Sequence, residues 1–267
     1  MTNKTDDNSG TTAGTAGRPT AGTAAGTSAG NAPGAQGRDE WLPPQMRGEV
    51  DIAIPYSNPP TDKLMEFYAA WAENYDTDLI DAYGYMAPTD AVAGMMTLGL
   101  APDARILDAG CGTGQAGALM AAAGFTHVDG ADLSPEMREV AARLGVYRTL
   151  YHLDMTADYA PQIAEHTQPD DGPYDAPYDT PYDAVICVGV FGYGPPHVED
   201  LPRIMDAARP GAPVLVTVNG KGWEKMGWDD SLMPVLDAAG VTLAARSRIR
   251  HMVKEGVHAE LLELRRG

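Results

Sequence analysis

The stretch Ala104-Arg-Ile-Leu-Asp108-Ala-Gly110-Cys-Gly112-Thr-Gly114-Gln115 decides the fold. A short apolar run ends in Asp108, alternating glycines follow, and a helix of small residues starts at once. The pattern predicts a β-strand, a tight loop and a helix N-terminus. Unpaired backbone N–H groups are presented where only glycine lets a ligand approach the main chain. The acid on the strand tip asks for a ligand carrying a positive group beside hydrogen-bonding oxygens. Gly112-Thr-Gly114-Gln-Ala-Gly117 also satisfies the dinucleotide pattern G-x-G-x-x-G, with Asp132 at a suitable distance for a ribose. Asp108 would repel a diphosphate, so a nicotinamide-dependent oxidoreductase is the second reading.

Working outward, Ala116, Leu119, Met120 and Ala123 give the helix an apolar face, and Gly124 ends it. His127–Asp132 reads as a second strand, again tipped by an acid. Ser134 as N-cap with Pro135 at the first helical position starts the next helix, with Met137, Val140, Ala141 and Leu144 inward. Thr149–Met155 is a third strand ending at Asp154, and Ala184–Phe191 is an apolar run suited to a fully buried parallel strand. A helix over about Glu199–Arg209, a fifth strand over Pro213–Val218 and a helix near Asp230–Ala239 follow. Leu243–His251 and Val257–Arg265 close the chain as a hairpin around Lys254-Glu-Gly256. Strand and helix alternate through five strands, which predicts a parallel sheet with helices on both faces.

Upstream, Thr61 or Asp62 caps a helix carrying Leu64, Phe67, Tyr68, Trp71 and Tyr75 at helical spacing, and Pro88–Leu100 forms another. Residues 1–38 repeat Thr-Ala-Gly with almost no large apolar side chains, the composition of a disordered tail. Residues 39–103 are a lead-in and helical lid, and 104–267 the ligand-binding domain. Pro173-Tyr-Asp175, Pro177-Tyr-Asp179 and Pro181-Tyr-Asp183 repeat every four residues and read as a solvated insertion.

The 267 residues carry a net charge of −18, nearly all of it after residue 40. Such a surface repels phosphate backbones and anionic lipid, against nucleic-acid or membrane partners. Cys111 and Cys187 read as small buried residues in a reducing compartment, and no long apolar run occurs. A soluble, cytoplasmic protein is expected, as monomer or homodimer. The absence of a His/Cys/Asp cluster predicts no metal.

Asp108-Ala-Gly110-Cys-Gly112-Thr-Gly114 resembles the first motif of class I S-adenosylmethionine-dependent methyltransferases. The resemblance covers about Leu64 to Arg265 and implies a Rossmann-like seven-stranded, mostly parallel sheet, its C-terminal hairpin antiparallel and its lid helical. S-adenosyl-L-methionine is then the cofactor, with its ammonium against Asp108 and Gly110, Cys111, Gly112 and Gly114 as the cradle. The resemblance gives Asp132 to the ribose, Leu133 and Met137 to the adenine, and Asp154 and Met155 to the adenine edge; Val188 is counted with them. Phe67-Tyr68-Ala-Ala-Trp71-Ala-Glu-Asn-Tyr75-Asp76 is similar to a cofactor-covering segment of several small-molecule methyltransferases, which brings in Tyr68 and Tyr75. With that segment included, the chain resembles the small methyltransferases similar to the Williams–Beuren syndrome region 27 protein.

Ligands of open α/β sheets sit at the carboxyl ends of the strands. Acceptor-side candidates are therefore Tyr193 and His197 after strand four, and Asn219, Lys221 and Trp223 after strand five. His197 is the candidate base. Tyr193, Trp223 and Trp228 near the mouth would favour a small, fairly apolar acceptor taking the methyl group on O, N or S. A non-catalytic S-adenosylmethionine-binding module is the third reading.

Overall fold

A computed structural model describes residues 60–164 and 182–267, all within the compact unit Leu42–Gly267. The expected tail 1–38, most of the lead-in and the Pro-Tyr-Asp repeats before Pro181 lie outside the described residues. The strands are β1 Arg105–Ala109, β2 His127–Asp132, β3 Leu150–His152, β4 Ala184–Phe191, β5 Val214–Asn219, β6 Val241–Met252 and β7 Val257–Arg266. They form one sheet in the order β3-β2-β1-β4-β5-β7-β6. Pairs β1–β2, β1–β4, β2–β3 and β4–β5 are parallel, and β7 runs antiparallel to both β5 and β6. This is the sheet expected from the sequence, with β2 and β4 at the expected bounds.

Because β4 and β5 are covered on both faces, they are written as near-continuous apolar runs. The helices over the sheet are α1 Thr61–Trp71, α2 Ala87–Met96, α3 Gln115–Ala122, α4 Pro135–Arg143, α5 Tyr159–Ala164, α6 Gly220–Lys225 and α7 Trp228–Ala238. One apolar layer joins Leu107, Cys187, Phe191 and Val216 to Trp223, Trp228, Leu232 and Leu236. The opposite layer joins Ile106, Ile186 and Leu215 to Val92 and Met95 of α2 and Met120 of α3. A third cluster ties the lid residues Phe67, Trp71 and Leu79, and Tyr85 just after the lid, to Met252 and Val257 of the hairpin.

Strand order reverses between β1 and β4, so the carboxyl ends of these strands splay around a crevice. The hairpin adds a second group to that edge. Asn219 pairs with Ala259, and Ala259 with Ile249, so β6 runs parallel to β5 with β7 between them, and near its end His251 reaches Asn219.

Local chemistry explains where the elements depart from expectation. Neither Thr61 nor Asp62 caps α1, which starts directly after Pro60 with no side-chain cap. Past Trp71 the chain winds on through short 3₁₀, α and π turns to Gly84, whose φ of 64° ends the lid. The single helix expected over Glu199–Arg209 is three short turns instead, Val198–Asp200, Leu201–Ile204 and Met205–Ala207. Tyr182 N–H donates to Ala207 O and Arg209 N–H to Tyr182 O, which pulls Ala208 into an extended conformation and stops the helix. Asn219 starts the unexpected α6 by accepting from Lys221 N–H and Gly222 N–H. Ser134 Oγ accepts from Met137 N–H at the start of α4, as expected of an N-cap.

Candidate cofactor and acceptor cavities

The carboxyl edge of the sheet and the lid enclose a cavity of about 1060 Å³, part of it open to solvent. The structure brings Tyr68, Tyr75, Asp108, Gly110, Cys111, Gly112, Asp132, Leu133, Met137, Asp154, Met155 and Val188 to its wall. Gly114 is placed elsewhere. At φ 96° it starts α3, and a Cβ there would lie 2.7 Å from Leu144 Cδ1, behind the loop.

The loop is built around the two strand-tip acids. Asp132 accepts from Gly112 N–H at 2.8 Å and from Ser134 N–H at 2.9 Å, so it braces the loop and the start of α4 together. Burial nevertheless holds its carboxyl above the usual range, against those bonds. Gly110 has φ 75°, and a Cβ would fall 2.3 Å from Val190 Cγ2, so only glycine passes there. Gly112 has φ 52° and would meet nothing within 4 Å, so its outer side faces open space.

Asp108 is 1% exposed and accepts from Tyr147 Oη at 2.6 Å. Burial pushes its pKa up to about 7, with the Tyr147 hydrogen bond opposing and the Asp132 charge adding to the rise. Tyr147 reaches Asp108 through a channel of glycines. A Cβ on Gly117 would lie 2.2 Å from its ring and hydroxyl, and one on Gly130 would lie 3.0 Å from its ring. The last glycine of the G-x-G-x-x-G pattern thus makes room for a tyrosine.

Asp154 Oδ1 accepts from Thr156 N–H and Oγ1, and Leu150–His152 therefore gives way to a turn before Met155. The lid is clasped to the loop by Asp76, which accepts from Thr113 Oγ1 and from Gln115 Nε2. Arg143 and Glu73 add an ion pair, but both are exposed and such pairs contribute little.

A second cavity of about 680 Å³, also partly open, shares Tyr68, Tyr75, Tyr85 and Val190 with the first. Tyr193, Asn219, His251 and Met252 line it, and His197 lines neither cavity. His197 N–H donates to Asp200 at the start of a 3₁₀ turn. Lys221 is exposed, and Trp223 and Trp228 are 3% and 2% exposed in the core, with their rings 5.4 Å apart. The expected tryptophan mouth is therefore corrected: capping by Asn219 turns α6 onto the face of the sheet. Sequence reasoning missed Tyr147, Asp76 as a clasp, and His251. Each acts through a partner more than thirty residues away, with no local signature. Both cysteines are free and buried.

Among the described residues no group of three or more His, Cys, Asp or Glu could hold a metal, and no helix is long and apolar enough to cross a membrane. The fold and the loop define a class I S-adenosylmethionine-dependent methyltransferase. Residues 71–259 match the family model described as a methyltransferase domain, and the chain belongs to that family. It is 37% identical over 109 residues to methyltransferase-like protein 27 of Homo sapiens. That match spans 40% of this chain and 43% of the human protein, less than half of that relative.

Among solved structures, the chain resembles Burkholderia thailandensis 1,6-didemethyltoxoflavin-N1-methyltransferase with bound 1,6-didemethyltoxoflavin and S-adenosylhomocysteine. That likeness has a TM-score of 0.50 at 19% identity, over 78% of this chain and 90% of that one. It also resembles a chain of the Haloferax volcanii complex containing the Trm112 methyltransferase activator. There the TM-score is 0.51 at 18% identity, over 73% and 96% of the two chains. Both likenesses are of fold.

Proposed function

We propose that this chain transfers the methyl group of S-adenosylmethionine to a small, uncharged acceptor held beneath the lid. The observation that carries the reading is the second cavity. It adjoins the carboxylate-lined one across a shared wall and has no Asp, Glu, Lys or Arg among its lining residues. Aromatic rings and aliphatic side chains surround a few polar atoms, the usual make-up of a small-ligand site. The net charge of −18 favours such an acceptor over a polyanion.

The carboxylate-lined cavity fits the cofactor by its chemistry. Asp108, Asp132 and Asp154 line one space with no lysine or arginine among the lining residues, which suits a cation. In this reading Asp108 takes the ammonium, and Asp132 accepts from the ribose hydroxyls with the lone pairs that Gly112 and Ser134 leave. Leu133, Met137 and Met155 flank the adenine near Asp154, and Tyr68 and Tyr75 close over it. The sulfonium supplies an already activated methyl group, so the chain's part is to align the acceptor and exclude water. His197 has no part in it.

A proton should accompany cofactor binding. Asp108 titrates at about 7 in the free protein, so at neutral pH part of the population is protonated. A cation beside it favours the ionised form and lowers that value. Affinity should therefore rise with pH up to about 7 and level off above it. Calorimetry at pH 7 in phosphate and in Tris should give different heats, corresponding to release of part of a proton; equal heats would contradict this placement of Asp108.

The acceptor class is tested by incubating the protein with methyl-labelled S-adenosylmethionine and separated small-metabolite, RNA and protein fractions of a cell extract. Label should enter the small-metabolite fraction. Label confined to RNA or protein would overturn the reading.

A further inference from the structure

We infer that Tyr85, set against Gly189, fixes the width of the junction between the two cavities and so limits the group that can pass from cofactor to acceptor. This rests on the reading of the second cavity as the acceptor site. Methyl transfer is an in-line displacement, so acceptor atom, methyl carbon and sulfur must line up across that junction. The residues common to both cavities come from two sides, among them Tyr68, Tyr75 and Tyr85 from the lid and just after it, and Gly189 and Val190 from β4.

Tyr85 and Gly189 meet from these two sides. A Cβ on Gly189 would fall 2.3 Å from Tyr85 Oη and 3.5 Å from its Cζ, and apart from chain neighbours it would meet nothing else within 4 Å. The phenol end of Tyr85 therefore fills the space that a side chain on β4 would take. The strand is shaped for it. Its register with β5 shifts between Cys187 and Phe191, and within that stretch Gly189 has φ 75° and donates its N–H to Thr217 Oγ1 at 2.8 Å. Bulges of this kind re-aim a strand beside an active site.

The other end of Tyr85 is held as firmly. It pairs with Met252 in an antiparallel bridge, its N–H donates to Leu79 O, and the next residue, Met86, donates its N–H to His251 O. The ring packs in the cluster of Phe67, Trp71 and Met252 and stands edge-on to His251, with centroids 5.2 Å apart. A side chain locked by packing along its length yields little, so the opening beside it keeps a set dimension. That opening passes a methyl group and obstructs a bulkier substituent on sulfur.

The test uses the full chain and an S-adenosylmethionine analogue carrying benzyl in place of methyl on sulfur. Calorimetry on the wild type should show the analogue binding at least about tenfold more weakly than S-adenosylmethionine, the result of overfilling a packed space. In Tyr85→Ala that ratio should fall to about threefold or less. A second readout needs only the wild type, with carbon-13 methyl-labelled S-adenosylmethionine bound. Its methyl protons should show nuclear Overhauser contacts to the Tyr85 ring and to the Val190 methyls. Gly189→Ala should lower the urea midpoint more in the wild type than in Tyr85→Phe, where the nearest remaining ring atom is 3.5 Å away. A ratio unchanged in Tyr85→Ala, equal midpoint shifts, or contacts to Val190 without Tyr85 overturns the role of Tyr85 alone. If the methyl group contacts neither residue, the reading of the second cavity as the acceptor site falls as well.

Discussion

Asp132→Ala should weaken S-adenosylmethionine binding by roughly a hundred- to a thousand-fold, the largest loss expected of any single side chain here. Two effects combine. The substitution removes the acceptor of Gly112 N–H and Ser134 N–H, so the loop and the start of α4 lose their common brace. It also removes the carboxylate assigned to the ribose. Hydrogen bonds to a charged group contribute about 1.5–3 kcal/mol each, and each 1.4 kcal/mol is about tenfold in affinity. Asp132→Asn keeps one oxygen and should lose less, about tenfold by the same measure. Calorimetry on both variants checks the order, and equal affinities for Asp132→Ala and wild type would exclude Asp132 from the site.

Gly117→Ala should destabilise the fold by about 1–3 kcal/mol, the cost of forcing atoms into a filled space. Helix propensity alone argues the reverse, because alanine is better than glycine in a helix interior by about 1 kcal/mol. Space decides the sign. The new Cβ would fall 2.2 Å from the Tyr147 ring, which cannot yield without leaving Asp108. The same variant should therefore bind S-adenosylmethionine more weakly. Tyr147→Ala removes the obstacle, so in that background Gly117→Ala should cost nothing further; this non-additivity is the signature of direct contact. Urea unfolding of the four proteins measures it, and additive losses would show that the two positions do not meet.

What the sequence made legible was local. The acid at a strand tip, the glycines after it and the Ser134-Pro135 helix start act within a few residues of one another. The β4 bounds could be read because a covered parallel strand is a short run of apolar residues with turn signals at its ends, whereas β2, His127-Val-Asp-Gly-Ala-Asp132, is marked by the acid at its tip and the helix start just after it. The aromatic stripe of the lid could be read as a face because Phe67, Tyr68, Trp71 and Tyr75 keep helical spacing.

The missed features depend on register between distant strands. Asn219 and His251 meet only because Ala259 of β7 stands between their strands. Tyr147 meets Asp108 across 39 residues through gaps that glycines leave in α3 and β2. The tryptophans mislead for a related reason. Position after strand five suggests the cavity mouth, but the Asn219 cap sends α6 back over the sheet, where Trp223 packs against Trp228 and under Arg246.

The most direct test is a pair of calorimetric titrations of the purified chain, one with S-adenosylmethionine and one with NADH. A carboxylate-lined cradle built for a cationic amino acid predicts one-to-one uptake of S-adenosylmethionine and no measurable heat from NADH. Uptake of NADH with indifference to S-adenosylmethionine would contradict it.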